Sequence, residues 1–163
     1  MKPLTEQVIR TAFVNCTKGE AKRLSVPRDL ADRPWDDLDY LGWRDPQAPD
    51  RAYIVAELDA GLKGLVLRCP SAVSGQLRRS MCSMCVTTHT GGVSLMVAPR
   101  AGKAGQQGNS VGAYICSDLA CSLYVRGMKD AGVGGRLRES LTPEEKIRRT
   151  VTNLAGFIAK VAA

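Results

Sequence analysis

The chain has 163 residues, of which 44% are hydrophobic and 24% charged, so it is long enough to bury one substantial core. No apolar run approaches the roughly 20 residues that cross a bilayer, and the N-terminus lacks a continuous apolar signal segment, so we expect a cytoplasmic protein without a membrane partner. The net charge of +7 is concentrated in residues 51–163, where fifteen Lys and Arg stand against seven Asp and Glu. Such a basic surface favours RNA, ribosomes or acidic proteins as partners.

Residues 1–50 are predicted to form a helix and an acidic, aromatic-containing segment, both packed on the main domain. Thr5 is a suitable N-cap for a helix running to Val14, and the polar residues 15–20 indicate its end. Residues 29–50 are rich in Asp and Pro but contain both tryptophans and Tyr40. Because large aromatic side chains favour burial, we predict an ordered irregular segment there; the alternative is a flexible acidic linker.

Residues 51–163 are predicted to form the main domain. Two β-rich runs between residues 51 and 69, separated by turn-forming residues, predict a hairpin, and Gly64 indicates a bulge or a close approach of the backbone. A second hairpin is predicted from Met84 to Cys116, with the glycine-rich residues 101–110 as a mobile tip. A short helix capped by Ser117 or Asp118 is predicted to follow.

The strongest helix signal lies near the C-terminus. Thr142 as N-cap, Pro143 at the first helical position and Glu145 form the pattern of a capping box. Apolar residues recur at helical spacing and define one face: Ile147, Val151, Leu154, Ile158 and Val161. The predicted fold class is therefore α+β, with antiparallel hairpins and a C-terminal amphipathic helix.

Four of the six cysteines form two close pairs, Cys82 with Cys85 and Cys116 with Cys121. In a reducing compartment such pairs are more typical of metal ligands than of disulfides, and they predict one zinc ion. A ligand turn, a hairpin and a second ligand pair at a helix start follow the order of a treble-clef zinc finger. A zinc ribbon would place the second pair in another hairpin turn. Four thiolates leave no open coordination position, so the zinc is predicted to be structural.

Other interpretations of the same residues stay open. The paired cysteines are alternatively buried thiols without metal, or a redox CxxC motif. His89, the one histidine, could replace a cysteine as ligand, although it is most simply a solvent-exposed loop residue. The two isolated cysteines, Cys16 and Cys69, have apolar neighbours and are predicted to be buried thiols.

No arrangement of residues predicts an enzyme or a small-molecule substrate. Asp36, Asp37 and Asp39 lack a partner histidine and are predicted to form a solvated acidic surface. The zinc deaminase signature is missing, because no HxE motif precedes the first pair and Met81 stands where that motif has Pro. The glycines of residues 131–136 lack the Lys and Ser or Thr of a phosphate-binding loop.

The chain resembles the elongation factor G-binding proteins of the fusidic acid resistance type in three segments: YIVAELDAGLKGLVLR, CSMC and VGAYICSDLACSLYVRG. The resemblance implies a C-terminal treble-clef zinc-finger domain with four ligands, here Cys82, Cys85, Cys116 and Cys121. It also implies binding to elongation factor G on the ribosome and promotion of its release, which overcomes stalling by the drug. The candidates for the partner surface near the finger are Met84, Lys103, Tyr114 and Arg126.

The alternative prediction is a zinc-finger domain that binds RNA or the ribosome directly. The basic residues available for this role are Arg78, Arg79, Arg100, Lys103, Arg148 and Arg149. Few exposed aromatic residues are predicted beside them, since both tryptophans lie in the acidic segment, and this weakens a stacking mode of single-strand binding.

Overall fold

The computed structural model describes residues 1–69, 79–132 and 139–163. The helices are α1 (Glu6–Thr11), α2 (Lys18–Arg23), α3 (Gly102–Gln106), α4 (Cys121–Val125) and α5 (Pro143–Ala162). The strands are β1 (Tyr40–Arg44), β2 (Arg51–Leu58), β3 (Gly61–Arg68), β4 (Arg79–Met81), β5 (Thr88–Thr90), β6 (Val93–Pro99) and β7 (Ser110–Cys116). Within these ranges, no helix has the length and apolar character needed to cross a membrane. The predictions for Arg78 and for most of the glycine-rich residues 131–136 lie outside the described residues.

Five antiparallel strands form the main sheet in the order β1-β2-β3-β6-β7. β2 and β3 form a continuous ladder that closes at a tight turn, where Leu58 lies opposite Gly61. β6 and β7 pair along their whole length, from Val93 opposite Cys116 to Pro99 opposite Ser110. The short strands β4 and β5 form a separate two-stranded sheet. The first predicted hairpin is confirmed, and the second is confirmed over residues 93–116 rather than from Met84. With the helices, the hairpins give an α+β fold.

Side chains alternate between the two faces of the main sheet, and each face has its own core. The N-terminal core contains α1, α2 and one face of β1 and β2; its most buried members are Ile9, Leu41, Trp43, Tyr53 and Val55. The cysteine-side core contains α5 and the paired cysteines; its largest fully buried branched aliphatic members are Ile54, Leu65, Leu67, Ile115, Leu154 and Val161. The sheet is therefore the middle layer of three.

The N-terminal region differs from its prediction in two places. α1 ends at Thr11, because the chain then turns to bond with β3: Val14 donates to the Gly64 carbonyl and the Gly64 N–H donates to Ala12. The predicted helix end at residues 15–20 is wrong, since Thr17 and Glu20 form a capping box that starts α2. The close backbone approach predicted at Gly64 is confirmed, because a Cβ there would lie 3.1 Å from a ring atom of Phe13.

The acidic segment is ordered but not wholly irregular. Trp35, Tyr40 and Trp43 are all buried, which excludes the flexible-linker alternative. The segment contains two short 3-10 turns, Leu30–Asp32 and Trp35–Asp37, and it ends in β1. β1 was not predicted, and it pairs along its length with β2, so the predicted boundary at residue 50 lies between two neighbouring strands of one sheet.

Three predictions for the C-terminal half also have clear outcomes. Thr142 and Glu145 form the predicted capping box at the start of α5. The buried stripe of α5 is rotated slightly from the predicted one, because Thr150 and Phe157 are buried with Leu154, Ile158 and Val161. The predicted mobile tip at residues 101–110 instead contains α3.

Candidate metal centre

The four paired cysteines meet at one point inside the cysteine-side core. Their Sγ atoms all lie within 4.8 Å of one another, and each residue is at most 2% exposed. The Sγ atoms of Cys82 and Cys121 are 3.6 Å apart, and those of Cys85 and Cys116 are 3.5 Å apart. The fold therefore brings together all four predicted ligands, which stand up to 39 positions apart in the chain.

The first ligand pair lies in a tight turn between β4 and β5. The Cys82 N–H donates to the Thr87 carbonyl, the Val86 N–H donates back to the Cys82 carbonyl, and the Met84 N–H lies 3.4 Å from the Cys82 sulfur. Val86 closes the turn with a φ of 61°, a left-handed conformation that is rare for β-branched residues. The backbone itself thus turns both thiols toward one point.

The second ligand pair lies between β7 and α4. Cys116 is the last residue of β7 and Cys121 is the first residue of α4. Between them the Leu119 N–H donates to the Cys116 carbonyl, and Leu119 has a φ of 58°. Asp118 accepts from the Ala120 N–H at 3.0 Å, which forms a local turn. The predicted capping of the helix by Ser117 or Asp118 is wrong, because the N-cap of α4 is Ala120 and no side chain caps it.

The order of these elements is that of a treble clef: a ligand turn, the β6–β7 hairpin, and a helix that carries the last ligand. The predicted treble-clef arrangement is confirmed, and the zinc-ribbon alternative is excluded, because Cys121 belongs to a helix. The ligand turn is also attached to the hairpin, since the Ser83 N–H donates to the Tyr114 carbonyl at 2.7 Å.

The sulfur positions fit a tetrahedral zinc ion. Zinc–thiolate bonds of about 2.3 Å place tetrahedral sulfur atoms about 3.8 Å apart, close to the observed separations, whereas a disulfide requires about 2.05 Å. Hydrogen bonding among the sulfurs lowers the pKa of Cys82, chiefly through Cys116, and raises the pKa of Cys116, chiefly through Cys121. A divalent cation bound by all four sulfur atoms would hold them together as thiolates, and zinc bound by four thiolates is structural.

Two polar side chains flank the sulfur cluster, and the sequence indicated neither role. His89 is buried, with Nε2 3.3 Å from the Cys116 sulfur, so its predicted exposure is wrong. Since the four sulfurs form a complete ligand set, His89 contacts a ligand and does not replace one. Burial lowers the pKa of His89. The Tyr40 hydroxyl is also buried in the cysteine-side core, and its pKa is raised by burial and then by Cys121.

Helix α5 and the N-terminal segment hold the finger in place. Asn153 of α5 donates to the Met84 carbonyl, and Arg149 donates to the Cys85 carbonyl while forming an ion pair with Glu139. Arg126, just after α4, forms a two-bond ion pair with Asp39, and that bonding raises the pKa of Arg126. The finger is thus fixed on both sides.

The four candidate partner residues differ in accessibility. Met84 is buried in the cysteine-side core, with 2% of its surface exposed, so its side chain is not on the surface. Arg126 is largely covered by its pairing with Asp39. Lys103 on α3 is exposed, and Tyr114 on β7 is 53% exposed. Two of the four are therefore placed for contact with another molecule.

The remaining predicted residues lie away from the cluster. Cys69 is buried and Cys16 half-buried, and burial raises the pKa of both thiols. Asp39 is not part of a solvated acidic surface, because it is held by Arg126 at 10% side-chain exposure. Among the basic residues of the RNA alternative, Arg79 and Arg148 are exposed, Arg100 is half-buried, and Arg149 is engaged with Glu139.

Comparison with known proteins adds one finding to this geometry. No curated protein and no solved structure gives a significant match to the chain. A family model described as "FBP C-terminal treble-clef zinc-finger" matches residues 8–161, which is nearly the whole chain and includes most of α1, all of α2 and the cysteine cluster. The chain therefore belongs to the FBP C-terminal treble-clef zinc-finger family.

Proposed function

We propose that this protein binds elongation factor G and modulates its release from the ribosome, as a binding protein of the cytoplasm rather than an enzyme. Membership in the FBP C-terminal treble-clef family supports elongation factor G as the partner. The cysteine segments also resemble those of elongation factor G-binding proteins, so both observations point to the same family. The excess of positive charge in residues 51–163 favours an acidic partner or a partner on the ribosome.

One surface observation carries the proposal. Tyr114 on β7 and Leu95 on β6 are directly opposite each other, and they are exposed by 53% and 43%. They border a groove between the β6–β7 hairpin and α5, with a volume of about 470 Å³ and with Gly156 and Lys160 on its far side. We call this surface the β7 groove. An exposed aromatic beside an exposed aliphatic residue is typical of a protein-binding surface.

The structural zinc gives this surface its rigidity. The Tyr114 carbonyl accepts from Ser83 in the ligand turn, and Asn153 of α5 donates to Met84 in the same turn. Both walls of the β7 groove are therefore attached to the zinc-binding turn. A rigid groove that prefers one conformation of the factor would shift the factor toward that conformation, which is how binding weakens its hold on the ribosome.

The test compares two surface substitutions. Tyr114→Ser is expected to weaken binding to purified elongation factor G by about 30-fold, the effect of losing a central aromatic contact worth about 2 kcal/mol. Met128→Ser is the matched control, because Met128 is 59% exposed but lies outside the β7 groove. Isothermal titration with each zinc-loaded variant measures the dissociation constants. Equal affinities for both variants would contradict a role for the groove.

Release is measured separately, on ribosomes that hold labelled elongation factor G stalled by fusidic acid. Addition of the protein is expected to speed dissociation of the factor, and Tyr114→Ser is expected to reduce this effect in proportion to its weaker binding. If the protein binds the factor but does not speed its dissociation, elongation factor G stands as the partner and the proposed effect on its release is wrong.

Direct RNA binding is the second candidate, favoured by the excess of fifteen basic over seven acidic residues in positions 51–163. Phosphate contacts make binding strongly salt-dependent, so titration against ribosomal RNA over a salt series distinguishes the two functions. Steep salt-dependent RNA binding together with no binding to the factor would replace the first proposal by the second.

A further inference from the structure

We infer that His89 and Tyr40 are hydrogen-bond donors to two of the zinc-binding thiolates, Cys116 and Cys121 respectively, and that they determine how firmly the site holds its metal. Neither residue is a ligand. Each would act through a sulfur atom, as a positioning residue of the metal centre. The inference is independent of the partner that the protein binds.

The position of His89 is fixed on three sides. Its Nε2 atom lies 3.3 Å from the Cys116 sulfur, and the residue is 4% exposed. The Tyr124 ring packs edge-on against it at a centroid distance of 4.6 Å. A side chain at Gly92 would lie 2.8 Å from the imidazole, so only glycine leaves room for the ring. The surrounding residues therefore direct the imidazole toward the sulfur.

Tyr40 presents the second donor. Its residue is 1% exposed, and its hydroxyl makes no hydrogen bond of ordinary geometry to any described residue. Tyr40 belongs to the same core as all four cysteines, and its ring lies beside the turn between Cys116 and Cys121, since a Cβ at Gly42 would meet both a Tyr40 ring atom at 2.9 Å and the Leu119 Cβ at 2.6 Å. After burial itself, Cys121 is the group that most raises the pKa of Tyr40. A buried hydroxyl without a partner is unfavourable, and a thiolate at Cys121 supplies an acceptor.

Metal binding fixes the direction of both hydrogen bonds. A zinc-bound thiolate has no proton and can only accept, so the imidazole must carry a proton on Nε2 and the phenol must donate. Each donation withdraws negative charge from a sulfur atom in a site where four thiolates exceed the charge of one divalent ion. Hydrogen-bond donors that contact the ligands without binding the metal orient those ligands, and their removal commonly lowers metal affinity by about 10- to 100-fold.

The test uses substitutions that remove only the donor. Tyr40→Phe removes one hydroxyl, and His89→Phe removes the imidazole N–H while keeping an aromatic ring; each is expected to weaken zinc binding about 10-fold or more. Tyr124→Phe is the matched control, because its hydroxyl donates to Asp118 rather than to sulfur. His89→Gln places an amide donor near the Nε2 position and is expected to restore part of the affinity. Competition with a chromophoric chelator measures the zinc dissociation constants of the full chain.

A second readout separates hydrogen bonding from packing. In the cobalt-substituted protein, losing a hydrogen bond to a thiolate is expected to move the sulfur-to-cobalt charge-transfer band to lower energy for Tyr40→Phe and His89→Phe, but not for Tyr124→Phe. Band positions equal to those of the wild type, with zinc affinity changed less than threefold, would overturn the inference. If His89→Phe does not fold, His89→Gln and Tyr40→Phe decide the outcome by the same two measurements.

Discussion

Val86 and Leu119 both have left-handed backbone conformations, and both lie within three residues of a zinc ligand. Their φ values are 61° and 58°. This conformation costs an L-residue about 1–2 kcal/mol, with the larger values expected for β-branched side chains. The two side chains differ, because Leu119 is buried at 4% exposure whereas Val86 is half-buried.

Replacement by glycine should therefore have opposite effects at these two positions. Val86→Gly is expected to raise the free energy of unfolding by about 1 kcal/mol, because the relief of backbone strain exceeds the added flexibility of the unfolded chain. Leu119→Gly is expected to lower it by about 2 kcal/mol or more, because a buried leucine is lost from the core. Denaturant unfolding of the zinc-loaded proteins measures both. A loss of stability in both variants would show that the Val86 side chain stabilises more than its backbone costs.

At the residue scale, the sequence predicts the ligands better than their surroundings. The spacing of the four cysteines is a local pattern, and it identified the whole metal site. His89 and Tyr40 are separated from their sulfur neighbours by 27 and 81 positions, and only the folded sheet brings them together. Nothing in the sequence near Tyr40 distinguishes it from the other buried aromatic residues of its segment.

Single elements were predicted where their signals are local. The capping box at Thr142 and the turn residues between β2 and β3 are short patterns, and both elements are as predicted. The sequence does not predict β1, because its five residues follow a stretch rich in Asp and Pro and Gly42 interrupts its strand-favouring aromatic residues. Pairing with β2 makes it a strand. A tertiary contact of this kind outweighs local propensity.

Two glycines show that the effect of adding a side chain depends on what packs against the element. Gly42 of β1 faces Leu119, and a Cβ there would lie 2.6 Å from the Leu119 Cβ and 2.9 Å from a ring atom of Tyr40. Gly156 lies within α5, and a Cβ there would meet nothing within 4 Å. The same substitution should thus give opposite results.

Gly42→Ala is expected to destabilise the protein by about 1–3 kcal/mol, since neither Leu119 nor Tyr40 can move without disturbing the core around the metal. Gly156→Ala is expected to stabilise it by about 1 kcal/mol, because alanine favours the helix interior over glycine. Urea unfolding of the zinc-loaded variants measures both changes. Equal and small effects would mean that β1 can shift away from the finger at little cost.

At the scale of the whole molecule, the sheet separates two cores that depend differently on zinc. The N-terminal core has no metal ligand among its members, and the β2–β3 ladder beneath it is complete. The cysteine-side core contains all four ligands and the buried face of α5. The ion pair between Arg126 and Asp39 joins the finger to the segment that leads into β1.

This arrangement predicts an uneven response to removal of the metal. Structural zinc sites contribute about 10–16 kcal/mol of apparent binding energy in small fingers, which is as large as the whole stability of a typical domain, about 5–15 kcal/mol. Chelation is therefore expected to unfold the finger, and Cys116→Ser is expected to reproduce the effect. Cys69→Ser is the control, since Cys69 is buried but outside the ligand set.

Hydrogen exchange resolves where that unfolding occurs. In the zinc-free protein, amides of residues 82–125 and of α5 are expected to lose protection, because their backbone order depends on the four sulfur positions and on the helix that packs over them. Amides of the β2–β3 ladder are expected to keep much of theirs, because the N-terminal core still covers one face of it. Equal loss of amide protection in both regions would indicate that the whole domain unfolds as one cooperative unit. Unchanged protection in residues 82–125 would contradict a structural role for zinc.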